Sequence, residues 1–283
     1  EIAPPGPALL STIDPQSLYE RLGAIAWEWP SVIPRGFVTM VCGPPGAGKS
    51  ALALRLAGCI TTPHEWPDGQ AAPEQGGVLW VDCEGSVQGT TERAVGWGIN
   101  RGLRIVDGAT DFIFDDPENI YSVAATAKDQ DCRVVVVDAL ASTHRKDENS
   151  TEMRSLLTTL GFVAAAERLS IILIHHLRKR GVLEGPEPDL DRVRGSSAIV
   201  ALCRSVVAVW QPTKASETRN VQVIKANFAR APEPFGMDWV NGELAFGEPL
   251  RVEAPNTARA EAEDWLADLL RGGARPRGEV LEL

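Results

Sequence analysis

The chain has no closely spaced cysteine pair: Cys42, Cys59, Cys83, Cys132 and Cys203 are scattered, mostly inside apolar runs. That pattern suits reduced, buried thiols and argues against a disulfide framework or a cysteine-based metal centre. It also lacks an uninterrupted apolar run of about 18 residues, and its opening, Glu1-Ile2-Ala3-Pro4-Pro5-Gly6-Pro7, has neither the basic nor the apolar region of a secretion signal. The expected compartment is the cytoplasm, with no membrane partner. Positive charge is scarce as well. Lys and Arg number 28 against 38 Asp and Glu, a formal net charge of −10, so the surface as a whole is not the basic footprint of an ordinary nucleic-acid-binding domain. Charge confined to short loops would not show in that sum.

What is present is a 283-residue chain with 44% hydrophobic residues, enough for one large core or two small ones. Its most specific segment is Gly43-Pro44-Pro45-Gly46-Ala47-Gly48-Lys49-Ser50, a complete G-x-x-x-x-G-K-S loop directly behind the apolar run Phe37 to Cys42. Glycines let the backbone curl so that successive N–H groups face phosphate oxygens. Lys49 reaches the β- and γ-phosphates, and the Ser50 hydroxyl suits Mg²⁺. Ala51 opens a run of strong helix formers, so the anion also sits at a helix N-terminus. The expected cradle is therefore Gly43 to Ala51, with ATP and Mg²⁺ as its ligands.

Apolar, β-rich runs recur at 37–42, 77–83, 133–138, 170–175 and 204–210, separated by helical patterns at 49–60, 90–101, 118–128 and 151–168. Alternation of this kind predicts an α/β fold, a mostly parallel sheet with helices on both faces. Asn241-Gly242, between 235–240 and 243–246, predicts a C-terminal β-hairpin. Residues 1–35 read as a Pro-containing lead-in, 36–250 as the main domain, and 255–283 as a helical segment with Trp265, Leu266, Leu269 and Leu270 on one side. The first residue is not Met and the pattern Val280-Leu281-Glu282-Leu283 stops unfinished, which reads as a piece of a longer protein. That last segment is either the start of a winged-helix module or a terminal helix docked on the core.

Asp138 closes the run Val134-Val135-Val136-Val137, the form of a Walker B strand whose Asp holds Mg²⁺. Ala139 follows, so the water-activating base has to come from another strand. Glu84, just after Val78-Leu79-Trp80-Val81-Asp82-Cys83, is the best placed, with Asp82 the competing carboxylate. His175 and His176 close a third apolar strand, where they can reach the γ-phosphate region and report its presence by hydrogen bonding. No Cys or Glu with zinc-ligand spacing accompanies them.

Taken in order, Gly43 to Ser50, Trp80-Val81-Asp82-Cys83-Glu84-Gly85-Ser86, Val134 to Leu140, Ile171 to His176 and Arg194-Gly195-Ser196-Ser197 resemble the RecA-like P-loop ATPases of plasmids and phages, RepA-type hexameric replicative helicases among them. The likeness spans roughly residues 30–247. It implies a RecA-like core, with Glu84 as the catalytic carboxylate. It further implies that Arg204 reaches a neighbouring subunit's site and that Lys225 is a second basic group near the γ-phosphate. The plain alternative for Arg204 is a surface salt bridge. By the same resemblance, the loops 142–150 and 178–194 take the places of central-channel loops. Arg145, Lys146, Arg178, Lys179, Arg180 and Arg194 would then contact single-stranded DNA, although Arg194 could instead brace its loop. Neither loop has an aromatic for base stacking, and a charge-rich loop is usually only solvated. The implied activity is Mg²⁺-dependent ATP hydrolysis in a homo-oligomeric, hexameric ring, coupled to movement on single-stranded DNA and served by replication proteins. Rival readings are a loader, recombination or regulatory ATPase of the same fold that does not unwind, and a nucleotide kinase with 178–194 as its lid.

Overall fold

The computed structural model describes residues 11–72, 74–108, 116–143, 150–179, 185, 187–195, 197–213, 216–251, 265–266, 269–271 and 273. Its centre is a nine-stranded sheet. Six strands run parallel in the order β8 (Ser205–Trp210), β3 (Val38–Gly43), β7 (Ser170–His176), β6 (Cys132–Asp138), β4 (Gly77–Asp82) and β5 (Leu103–Ile105). At the β8 edge three antiparallel strands follow: β9 (Arg219–Ala226), β10 (Phe235–Val240) and β11 (Glu243–Gly247). The inner parallel strands are buried on both faces, which is why they read as continuous apolar runs. The expected parallel sheet is therefore present, with an antiparallel extension that ends in the Asn241-Gly242 turn. Both turn residues have positive φ, 53° and 85°, as a type I′ hairpin requires.

Helices cover both faces. The face carrying Val134, Val136, Ile172 and Ile174 packs on α2 (Lys49–Thr61) and Ala94 of α3 (Val87–Gly96). The face carrying Val135, Val137, Ile171 and Leu173 packs on α4 (Pro117–Asp129), α5 (Thr151–Ala166) and the short α6 (Ser197–Leu202). Helix α3 ends earlier than the pattern at 90–101 predicts, because Gly98 takes a positive φ of 70° and turns Ile99 into the core at 1% exposure.

The lead-in is partly core. After α1 (Pro15–Leu22), which has no buried residue, the ribbon β1 (Trp27–Trp29) and β2 (Ile33–Pro34) buries Trp29, Val32 and Ile33. Trp29 stacks on Trp66 at 5.4 Å. Glu28, fully buried, accepts from Arg35 Nε at 3.0 Å, Arg133 Nε at 2.9 Å and Ser170 Oγ at 3.2 Å. The network ties the ribbon to the amino-terminal ends of β6 and β7. Removing one partner of such a buried pair costs about 3–5 kcal/mol. Of the 255–283 segment, residues 265–266, 269–271 and 273 are described; Trp265, Leu266, Leu269 and Leu270 are helical, with Trp265, Leu266 and Leu270 exposed. The remainder of the expected helical segment lies outside the described residues. Among the described residues no helix is long and apolar enough to cross a membrane.

Candidate active site

Parallel register brings the polar strand ends together. Gly43 lies opposite His176 and Asp82 opposite Asp138, so β3, β4, β6 and β7 finish at one edge of the sheet, where ligands of open α/β sheets bind. The phosphate loop leaves β3 there. A Cβ at Gly43 would stand 2.3 Å from the Val209 carbonyl oxygen, so only glycine lets β3 approach β8 so closely. Gly48 caps α2 with φ 92°, a conformation that disfavours any other residue. Lys49, 7% exposed, donates from Nζ to the Pro44 carbonyl at 3.0 Å. Burial pulls its pKa below the usual lysine range, with Glu84 and Asp138 opposing that shift.

Asp138 is 1% exposed, and among the described residues neither carboxylate oxygen accepts a well-formed hydrogen bond, with the Ser50 hydroxyl as a weak donor beside it. Burial raises its pKa from 3.8 to about 6, the charges of Glu84 and Asp82 add to that rise, and the Ser50 hydroxyl and Lys49 oppose it. A buried carboxylate beside a serine hydroxyl is an oxygen donor set suited to Mg²⁺. The donors present therefore fit the ion that a P-loop implies.

Glu84 lies two residues beyond β4 with its side chain 39% exposed, and its Oε1 is 3.5 Å from His176 Nε2. Asp82 behaves differently. It is fully buried; Oδ1 accepts from the N–H groups of Glu84 at 2.9 Å and Ser86 at 3.2 Å, and Oδ2 accepts from Ser86 Oγ at 2.8 Å. The histidine pair is split by strand alternation. His176 shares the α2 face of β7 with Ile172 and Ile174, whereas His175 shares the opposite face with Ile171 and Leu173. His175 Nε2 donates to the Arg194 carbonyl at 2.8 Å and is fully buried. His176 therefore adjoins Glu84, and His175 anchors the base of the following loop.

That loop leaves β7 as a short antiparallel ribbon. Leu177 bridges Val193, Arg178 N–H donates to the Arg192 carbonyl at 2.8 Å, and Arg194 N–H donates to the His176 carbonyl at 3.1 Å. Arg178, Lys179 and Arg194 are exposed, but Arg192 is buried and donates to the Glu187 carbonyl at 3.2 Å. Arg145, Lys146 and Arg180 lie outside the described residues.

Arg204 and Lys225 stand elsewhere. Arg204 N–H donates to the Val38 carbonyl at 2.8 Å, at the start of β3, and Lys225 pairs with Val206 near the start of β8. Five residues of strand separate Val38 from Gly43, about 17 Å, so both cations sit at the opposite end of the sheet from their own phosphate loop. Each donates to a carbonyl of α6, Arg204 to Ala201 at 3.2 Å and Lys225 to Val200 at 2.7 Å. Ser86 was not singled out from sequence, although Asp-x-Glu-Gly-Ser carries the Asp and Gly of a side-chain-closed turn.

A phosphate loop on the P-loop strand, a Walker B aspartate two strands away and this strand order define a RecA-like P-loop ATPase. The chain belongs to the AAA domain family, whose model matches residues 5–182. Similar folds are a solved ATPase domain (14% identity, 81% of this chain and 94% of that one, TM-score 0.61) and the RadB recombinase (19%, 77% and 93%, 0.54). A third is a DnaB-like replicative helicase solved with regard to its interactions with primase (14%, 83% and 67%, 0.60). No curated protein matches the chain.

Proposed function

We propose that the protein is a ring-forming ATPase, hexameric and replicative-helicase-like, that couples Mg²⁺-dependent ATP hydrolysis to translocation on single-stranded DNA in plasmid or phage replication. The observation that carries this reading is the placement of Arg204 and Lys225 at the far end of the sheet from their own phosphate loop. Charge developing on the γ-phosphoryl oxygens needs a cation beyond Lys49, and in a head-to-tail assembly the neighbouring subunit supplies it. Within one subunit the loop Gly43 to Ala51 holds the phosphates and Glu84 takes the proton from the attacking water. His176, next to Glu84, adjoins the γ-phosphate. Asp138 and the Ser50 hydroxyl would hold Mg²⁺, which supplies charge neutralisation at the phosphate oxygens when bound. Arg178 and Lys179, on the loop rooted at His176, meet the DNA backbone together with Arg194, Arg180, Arg145 and Lys146.

The second reading is a RecA-like loader, recombination or regulatory ATPase that switches without unwinding; the likeness to RadB recombinase favours it as much as the DnaB-like helicase fold favours the first. Hydrolysis measured with and without single-stranded DNA, alongside solution mass and strand separation, tests the proposal. A ring whose hydrolysis is DNA-stimulated and which separates strands supports it. Stimulation without separation favours the switch, phosphoryl transfer to a nucleotide acceptor favours a kinase, and a monomer with unstimulated hydrolysis contradicts the proposal.

A further inference from the structure

We infer that Asp82 is a positioning residue for Glu84: it closes the turn that aims the Glu84 carboxylate, and takes no proton itself. This rests on the reading of Glu84 as the water-activating base. The fully buried Asp82 carboxylate accepts three hydrogen bonds, from Glu84 N–H, Ser86 N–H and Ser86 Oγ. Both oxygens are engaged and the carboxylate is 0% exposed, whereas the Glu84 side chain is 39% exposed. Between the two amides Gly85 takes φ 73°, which folds the chain back on the carboxylate. The Glu84 side chain is thereby turned outward to His176 and into the field of Lys49.

The chemistry of the substitutions separates this role from a direct one. Asn at 82 is isosteric: its carbonyl oxygen can still accept from both amides and its NH₂ can donate to Ser86 Oγ. A positioning role therefore survives Asp82→Asn, whereas a base or an anionic metal ligand does not. Ala removes all three acceptor contacts and frees the turn. Misplacement of a reacting group by about 1 Å costs on the order of 100-fold in rate, which sets the expected loss.

The test uses the whole chain. Asp82→Ala should lower kcat by about 10- to 100-fold with KM for ATP changed by less than about threefold, and Asp82→Asn should restore kcat to within about fivefold of the unmodified protein. In a Glu84→Gln background Asp82→Ala should cost less than about twofold further, because residues acting as one unit are not additive. Asn as damaging as Ala, or a full additional loss on top of Glu84→Gln, would overturn the inference. Amide hydrogen exchange gives an activity-free readout: Asp82→Ala should speed exchange at Glu84 and Ser86 by about tenfold or more, and unchanged protection overturns the turn itself. If the Ala protein does not fold, Ser86→Ala, which removes only the Oδ2 contact, should still lower kcat a few-fold and lose that effect in the Glu84→Gln background. An unmodified protein that hydrolyses no nucleotide removes the base reading, while the exchange measurement still decides whether Asp82 holds the turn.

Discussion

Asp138→Asn should move stability and activity in opposite directions. The carboxylate is 1% exposed and accepts no well-formed hydrogen bond among the described residues, and burial, with help from Glu84 and Asp82 and against the Ser50 hydroxyl and Lys49, lifts its pKa from 3.8 to about 6. At 1.36 kcal/mol per pKa unit that difference is worth about 3 kcal/mol of stability, an order-of-magnitude figure. Because the folded pKa lies above the unfolded one, the folded protein holds the proton more tightly. The ionisation penalty is absent below about pH 4, grows through the window, and is fully present above about pH 6. In EDTA at pH 7.5 the Asn protein should therefore be more stable than the unmodified one by about 1–3 kcal/mol, or a few degrees in Tm, while its Mg²⁺-dependent hydrolysis is largely lost. Urea unfolding from pH 4 to 8, with EDTA and with Mg²⁺ and nucleotide, measures it; the gap should shrink toward pH 4 and when Mg²⁺ and nucleotide are added. An Asn protein less stable than the unmodified one at pH 7.5 in EDTA, or a gap independent of pH, would refute the reasoning.

Lys49→Ala should abolish tight nucleotide binding, and Glu84→Gln should keep it while hydrolysis drops by about 10²- to 10⁴-fold, the usual contribution of a positioned base. Fluorescent-nucleotide titration and phosphate release check both, and comparable turnover in the Gln protein would move the base elsewhere. Reversing Arg178, Lys179 and Arg180 to Glu should remove DNA-stimulated hydrolysis and spare the basal rate. DNA binding by the unmodified protein should also weaken steeply as salt rises from 50 to 200 mM; unchanged stimulation or salt-independent binding counts against the loop.

The strands that carry the site were legible because each is an apolar run closed by polar residues: Val134 to Val137 by Asp138, Val78 to Val81 by Asp82, Ile171 to Ile174 by His175 and His176. Strand β9 was not legible, since Arg219, Gln222 and Lys225 interrupt its Val and Ile on a half-covered strand next to the hairpin. Nor was the buried role of Glu28, whose partners Arg133 and Ser170 lie 105 and 142 residues away; no local pattern records a pairing that long. His175-His176 reads as one unit along the chain, yet consecutive residues of a strand face opposite ways, and that separates them. The same limit applies to Asp82 and Glu84. The sequence shows two carboxylates near a strand end, and only the turn through Gly85 distinguishes the one tied down from the one free to act.

The central claim is that one subunit's phosphate loop works with its neighbour's Arg204, and subunit mixing tests it most directly. Lys49→Ala and Arg204→Ala proteins, each inactive alone, should regain part of the ATPase activity when combined in mixed assemblies, because some interfaces then pair an intact loop with an intact arginine. Assemblies shown to be mixed that recover no activity, or an Arg204→Ala protein that hydrolyses ATP at the unmodified rate, would contradict it.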